Sequence, residues 1–179
     1  MKLLKGNKSG LTLIESLAAI GLAALVIAGA LILFGNAQDA RRVTAETTNI
    51  SNVLKRMEEV FLEDSLVDPA NIEMSEMIIA GVFNDSMKIT GDVVYNSWNG
   101  TVLITPQGPA TYDVQYTNVP VDEVCVDLVR STRKVGFDEI DVGGNSDDIS
   151  NISISNIINW CDEATVGSNY VTITWSMTN

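Results

Sequence analysis

The feature that most constrains this chain is a long apolar stretch near its N-terminus, residues 11–34, with the sequence LTLIESLAAIGLAALVIAGALILF. As an α-helix it would extend roughly 36 Å, which is enough to cross a bilayer core of about 30 Å. A helix that is apolar on every side must lie in lipid or among other helices. We therefore predict that this segment is a transmembrane helix that can also pack against other copies of itself.

One ionisable side chain, Glu15, interrupts the apolar stretch. A carboxylate at membrane depth costs a few kcal/mol and normally has both a partner and a function. The stretch contains no Lys or Arg. Cleavage after Gly10 would place a positively charged amine on Leu11, where a neighbouring copy shifted along the helix axis would present it to Glu15. The alternative is a protonated, neutral Glu15 at the level of the lipid headgroups.

The run from Gly10 through Leu11 to Glu15 resembles the prepilin peptidase site of type IV pilins, which has a basic leader ending in Gly, a hydrophobic first mature residue and Glu as the fifth. Leu as the first mature residue is similar to the type IVb branch. The resemblance implies cleavage between Gly10 and Leu11, N-methylation of Leu11, and polymerisation through the hydrophobic helix. The implied partners are a prepilin peptidase, the inner-membrane pilus assembly machinery and copies of the chain itself.

Two other interpretations of the same stretch stay open. A secretory signal peptide would use the leader lysines as its basic region and Ala28-Gly29-Ala30 as its cleavage site. Against it, Glu15 lies inside the apolar region and four large apolar residues, 31–34, follow the cleavage site. The second alternative is a plain membrane anchor. A positively charged leader in the cytoplasm fits all three interpretations.

Charge and composition exclude several classes of function. The net charge is −12, and removal of the leader with its three lysines would leave 8 basic and 23 acidic residues, or −15. So acidic a chain is a poor candidate for direct nucleic-acid binding and is suited to keeping an exported surface soluble. The absence of His excludes His-based catalysis and His metal ligands. We find no catalytic constellation, and we predict no enzyme, cofactor or metal site.

Cys125 and Cys161 are the two cysteines of the chain. In an exported chain this pair predicts one disulfide that closes a C-terminal loop, which would contribute about 3 to 4 kcal/mol on the chain-entropy estimate. Two unpaired buried thiols are the alternative. Two cysteines without His do not make a zinc site.

The helical period continues beyond residue 34. Apolar residues spaced by three, four and seven predict one buried face, while most charged residues, Glu46 among them, are expected off that face. Because Asp68 precedes Pro69, we expect the helix to end at about Leu66. The apolar face comprises Val43, Ile50, Val53, Leu54, Met57, Val60 and Phe61.

The pattern then changes to strands. Strands are predicted at 93–95 and 101–104, joined by a hairpin turn at Asn99-Gly100, and a turn at 106–109 leads to a third strand at 111–116. A last strand is predicted at 170–175. The run Tyr95-Asn96-Ser97-Trp98-Asn99-Gly100 resembles the turn that opens the sheet of type IVb pilins, and Trp98 is expected to pack in the core.

Two short helices and a loop complete this region. One helix is predicted between Ser75 as N-cap and Gly81, with an earlier start as the alternative, and another over 121–132 with Pro120 near its first turn. Arg130, Arg133 and Lys134 form a basic cluster that we interpret as a solvated helix end, with contact to a neighbour's acidic loop as the alternative. Residues 138–148 are predicted to be a flexible acidic loop. Calcium binding there is disfavoured because the spacing does not match an EF-hand.

The sequence thus predicts an α+β type IV pilin fold, in which a long N-terminal helix packs on an antiparallel sheet with short helices and one disulfide. The expected segments are a leader (1–10), a transmembrane and assembly half-helix (11–34), an amphipathic half-helix (35–66) and a globular α+β region (67–179). The expected function is that of the major pilin of an extracellular type IVb-like pilus, made as an inner-membrane precursor and used in adhesion, aggregation or conjugation. The alternatives are a minor pilin or type II secretion pseudopilin, and a membrane-anchored or secreted binding domain.

Overall fold

The computed structural model of the chain describes residues 13–59, 72–108, 111–121, 123–163 and 168–178. The chain divides into two compact units, Met1–Asp39 and Ala40–Asn179, and we call the second unit the head. The predicted cleavage site, Gly10 and Leu11, lies outside the described residues.

The first helix, α1, spans Leu13–Met57, and residues 58 and 59 continue in π-helical form. The expected end of this helix at about Leu66 lies outside the described residues. The apolar face predicted from the spacing is confirmed over its described part, since five of its residues are buried. They are Val43, Ile50, Val53, Leu54 and Met57.

Within the described ranges, seven strands form one antiparallel sheet in the order β1-β2-β3-β4-β7-β5-β6. Alternate residues are buried at 112, 114 and 116 of β4 and at 171, 173 and 175 of β7, so one face of the sheet packs into the core. The strands are β1 (Lys88–Thr90), β2 (Val93–Tyr95), β3 (Thr101–Gly108), β4 (Thr111–Pro120), β5 (Glu139–Val142), β6 (Asn145–Asp148) and β7 (Tyr170–Met177).

The predicted hairpin between β2 and β3 is present, with Asn99 at φ 59° in its turn. The turn predicted to begin at Pro106 is wrong, because β3 continues to Gly108 and pairs with β4 through a bulge at Pro106–Gly108. A bulge lets the strand continue past a proline that cannot donate to the ladder.

In the part of the chain that the structure describes, three short helices accompany the sheet: α2 (Met74–Ile79), α3 (Glu123–Thr132) and α4 (Ile154–Glu163). The N-cap is not Ser75, and the alternative of an earlier start is confirmed, since Glu73 is the N-cap and shares a capping box with Glu76. Gly81 follows the C-cap of α2 with φ 74°, as expected for a helix-ending glycine. Helix α3 begins later than predicted because Pro120 belongs to β4.

The prediction of a flexible acidic loop over 138–148 is wrong. These residues form the β5–β6 hairpin, and β5 pairs with β7. Ile140 and Val142 are buried, and Gly143 and Gly144 supply the two positive φ angles that a tight two-residue hairpin turn requires. Burial of the two apolar side chains outweighs the unfavourable strand propensity of the acidic residues.

The core of the head is organised around Trp175, which is fully buried. Its ring lies edge-on to that of Tyr116, with centroids 5.4 Å apart, and its Nε1 donates to Thr132 Oγ1 of α3 at 2.9 Å. The predicted disulfide is present: Cys125 of α3 and Cys161 of α4 are joined, with their Cα atoms 5.8 Å apart. Helices α3 and α4 are therefore fastened to each other on the buried side of the sheet.

Candidate functional site: an apolar assembly helix

The N-terminal part of α1 carries a dense set of exposed apolar side chains. Among the described residues, α1 is the helix that is long and apolar enough to cross a membrane, and the most apolar part of it is not buried by the protein. Leu13 is 81% exposed and Leu33 is 72% exposed, values that an isolated soluble helix would not tolerate. These side chains therefore need lipid or other protein chains around them.

Glu15 lies in the first turn of α1, where the positive end of the helix dipole favours a carboxylate. Its side chain is exposed on a helix whose neighbouring residues, Leu13, Ile14 and Leu17, are exposed and apolar. The carboxylate is thus accessible at the N-terminal end of the apolar segment.

Within the head, the second half of α1 carries a buried carboxylate that sequence analysis placed off the buried face. Glu46 is only 2% exposed. Its Oε1 accepts hydrogen bonds from the backbone N–H of Ser97 at 2.7 Å and from Ser97 Oγ at 2.5 Å, and its Oε2 accepts one from Asn49 Nδ2 at 3.2 Å. Glu46 therefore fastens α1 to the turn between β2 and β3, 51 residues along the chain.

That turn is itself held by Asn96. The Asn96 Oδ1 accepts from the backbone N–H groups of Trp98 and Gly100 at 3.0 and 2.9 Å, and its Nδ2 donates to the Thr117 carbonyl of β4 at 2.8 Å. A Cβ at Gly100 would overlap the same Thr117 carbonyl, so the turn requires glycine there. Trp98 is 9% exposed and packs in the core, as expected.

The pKa values of two buried tyrosines are raised by their surroundings. The pKa of Tyr116 is raised well above its usual value, chiefly by burial and further by the negative charge of Glu46. The pKa of Tyr112 is also raised, chiefly by burial, with a smaller contribution from Glu58. Both hydroxyls therefore stay neutral across the ordinary range of pH.

The basic cluster at the end of α3 is partly structural. Arg133 donates from Nε to the Ile149 carbonyl at 3.3 Å, and from Nη2 to the carbonyls of Ser150 and Ile152. The interpretation of the cluster as a solvated helix end is thus wrong for Arg133, whose guanidinium holds the chain that follows β6. Arg130 is exposed and lies 3.4 Å from Asp127, one turn earlier on α3.

The fold is similar to that in the crystal structure of a type IV b pilin from Salmonella typhi, with a TM-score of 0.57 and 18% sequence identity. The alignment covers 78% of this chain and 99% of that chain. At this identity the likeness concerns the fold. No curated protein matches the sequence.

The sequence itself gives the deciding match, since residues 40–176 fit the family model described as PilS N terminal. The chain belongs to this family of type IVb-like pilins. Pilins are structural proteins that assemble into filaments, and an apolar N-terminal helix fits both a membrane-anchored precursor and a surface pilus. For this pilin, the exposed helix is therefore the candidate assembly site, and the head is the part that the family model matches.

Proposed function

We propose that this pilin is the major, repeating subunit of an extracellular type IVb-like pilus and that it polymerises through residues 11–34. The observation that carries the proposal is the exposed apolar surface of α1 from Leu13 to Phe34. The amphipathic segment 35–66 links this surface to the globular region 67–179. In the pilus, the apolar segments of neighbouring copies exclude water from one another.

Processing precedes assembly in this proposal. A prepilin peptidase removes residues 1–10 by cutting between Gly10 and Leu11, and the new amine of Leu11 is N-methylated. Until then the precursor stays in the inner membrane, held by the apolar helix, with the leader lysines on the cytoplasmic side. The inner-membrane assembly machinery then moves the processed subunit from lipid into the base of the filament.

Glu15 sets the register of the growing filament by pairing with the Leu11 amine of a neighbouring copy. This pairing is supported by the position of Glu15, an exposed carboxylate at the N-terminal end of an apolar helix. A subunit added in the wrong register would leave both charges in an apolar medium, which is strongly unfavourable. The filament would then serve in adhesion, aggregation or conjugation.

The first experiment is to determine the N-terminal residue and intact mass of pilin sheared from cells. Abundant filaments beginning at methylated Leu11 would support both the processing and the major role. Processed subunit that is scarce in filaments would instead favour a minor pilin or pseudopilin. A chain that begins at Leu31, or that retains Met1, would contradict the assembly mechanism and favour a secreted or anchored binding domain.

The Glu15 pairing has its own test in the variant Glu15→Val, with Glu59→Val as the control for loss of an exposed carboxylate on the same helix. We expect Glu15→Val to be cleaved after Gly10 and retained in the membrane, and Glu59→Val to assemble. Normal filament yield from Glu15→Val would refute the pairing.

A further inference from the structure

Four carboxylates lie together on the face of the sheet that points away from the core. The strand register aligns Asp113, Ser176, Glu139 and Asp148 in one row across β4, β7, β5 and β6. Asp141 lies in the adjacent row, opposite Ser146 and Thr174. We call Asp113, Glu139, Asp141 and Asp148 the acidic face.

The acidic face contains an unfavourable contact. Glu139 and Asp148 are direct cross-strand partners, and side chains in such pairs lie about 5 Å apart, where like charges repel. Hydrogen bonds from Ser150, and then from Asn151, hold the pKa of Asp148 below its usual value, so its charge persists. The described residues contain no group of three or more acidic or Cys side chains placed to hold a metal ion. A cationic protein surface placed against these carboxylates would relieve this repulsion.

The same head offers such a surface at the end of α3. Arg130, Arg133 and Lys134, with Ser150, line a surface cavity of about 540 Å³. The three carbonyl contacts of Arg133 fix the position of its guanidinium. In the part of the chain that is described, neither Arg133 nor Lys134 forms an ion pair with a carboxylate of the same chain. We call Arg130, Arg133 and Lys134 the basic cluster.

The two surfaces point to opposite sides of the sheet, and they approach each other at Ser150, which donates to Asp148 Oδ1 and whose carbonyl accepts from Arg133. Trp175 points to the core face and donates to Thr132 of α3, so α3 and its basic cluster are on the core side. Ser176, the next residue on β7, points the other way, together with its acidic neighbours. A contact between different surfaces of identical copies gives a helical filament when the rotation between copies does not close into a ring.

We propose that the basic cluster of one subunit binds the acidic face of the next copy in the filament. The occupant is thus a second copy of this chain, and charge complementarity supports it. The inference rests on the proposed function, because only a filament places many heads side by side.

The overall charge of the subunit favours such a contact. After loss of the leader each subunit would carry −15, and three of its eight basic residues are in the basic cluster. Packed copies of one sign repel each other unless opposite charges are brought together. The proposed contact places the densest cationic group against carboxylates that already repel one another.

Charge reversal with rescue tests the proposal in cells that produce the full chain. We expect Arg130→Glu with Lys134→Glu to lower the amount of sheared filament about tenfold, and Asp113→Lys with Glu139→Lys to do the same. The four changes together should restore filaments to within about twofold of the unaltered chain, since the pairs re-form with their signs exchanged.

The matched control is Lys55→Glu with Lys88→Glu, which changes the net charge by the same amount at exposed positions elsewhere on the head. We expect this control to assemble normally. Equal loss in the control and in the basic-cluster variant, or no rescue in the fourfold variant, would overturn the proposal.

A second measurement tests the contact between the basic cluster and the acidic face if a charge-reversal variant does not accumulate in cells. Cells co-expressing the single variants Arg130→Cys and Glu139→Cys should give disulfide-linked dimers in sheared filaments, and cells expressing either variant alone should not. Filaments without such dimers would refute the contact, while leaving the proposed function intact. Absence of filaments from the unaltered chain would contradict both.

Discussion

The two halves of helix α1 differ in what covers their apolar side chains. In residues 13–34 the large apolar side chains are exposed, as at Leu25, which is 71% exposed. In residues 40–57 the apolar side chains form a stripe in the core of the head, as at Ile50, which is fully buried. The first half therefore depends on surroundings outside its own chain, whereas the second half is completed by the head.

This difference implies that the first half of the helix serves assembly and that the second half serves folding of the head. The family model matches from residue 40, which is also where the head begins. Substitutions in the second half should change the stability of the head, and substitutions in the first half should change only what the chain associates with. All three tryptophans, at positions 98, 160 and 175, are in the head, so tryptophan fluorescence of the full chain in detergent reports head unfolding.

The largest effect is expected from Ile50→Ala. This change removes buried methyl and methylene groups and leaves a cavity, so it should lower the free energy of unfolding of the head by about 3 kcal/mol. Denaturant unfolding of the full chain in detergent, followed by tryptophan fluorescence, measures it. A loss below about 1 kcal/mol would show that the second half of α1 is not part of the folded core.

Glu46→Ala should come next. It removes the acceptor for the half-buried Ser97 N–H and hydroxyl and for the buried Asn49 Nδ2, leaving these donors without that partner, and should cost about 2 kcal/mol. Glu59→Ala is the control, because Glu59 forms an exposed pair with Arg56 and should change the stability by less than about 0.5 kcal/mol. Equal effects of the two substitutions in the same unfolding assay would mean that Glu46 does not hold the helix to the sheet.

Alkaline pH should weaken the head through its buried tyrosines. The pKa values of Tyr112 and Tyr116 are raised in the folded state, so their contribution to stability is complete below the unfolded pKa of about 10 and is lost as pH rises towards the folded values. The expected loss is about 1.4 kcal/mol per pH unit for each tyrosine. Unfolding measured at several pH values from neutral to above 10 tests this. Tyr116→Phe should make the free energy of unfolding less dependent on pH above about 10. An unchanged pH dependence in this variant would contradict the raised pKa of Tyr116.

Much of the fold follows from local pattern. The spacing of Val43, Ile50 and Val53 predicts the buried face, and Asn99-Gly100 predicts the β2–β3 turn, because both depend on residues close in sequence. Local pattern does not predict the β5–β6 hairpin, because acidic residues disfavour strands, although Ile140 and Val142 alternate before Gly143-Gly144 in the way that a strand and its turn require. This segment forms strands because β5 pairs with β7, which is distant in sequence.

One part of the candidate site can likewise be predicted from local sequence, and the other part cannot. The apolar helix with Glu15 can be predicted from sequence because length and composition define it. The role of Glu46 cannot, since its partner Ser97 lies 51 residues away and a polar residue on a helix is normally expected in solvent. The acidic face likewise depends on the register of four strands.

The smallest effect on head stability is expected from Leu25→Ala, the counterpart of Ile50→Ala on the same helix. Leu25 is exposed, so its truncation leaves no cavity in the head and should change the free energy of unfolding by less than about 0.5 kcal/mol. The same change removes apolar surface from the segment that lipid or neighbouring copies must cover, at about 25 cal/mol per Å². We therefore expect less assembled pilin in sheared fractions with unchanged unfolding in detergent. A loss of head stability comparable to that of Ile50→Ala would show that the two halves of α1 are not energetically separate.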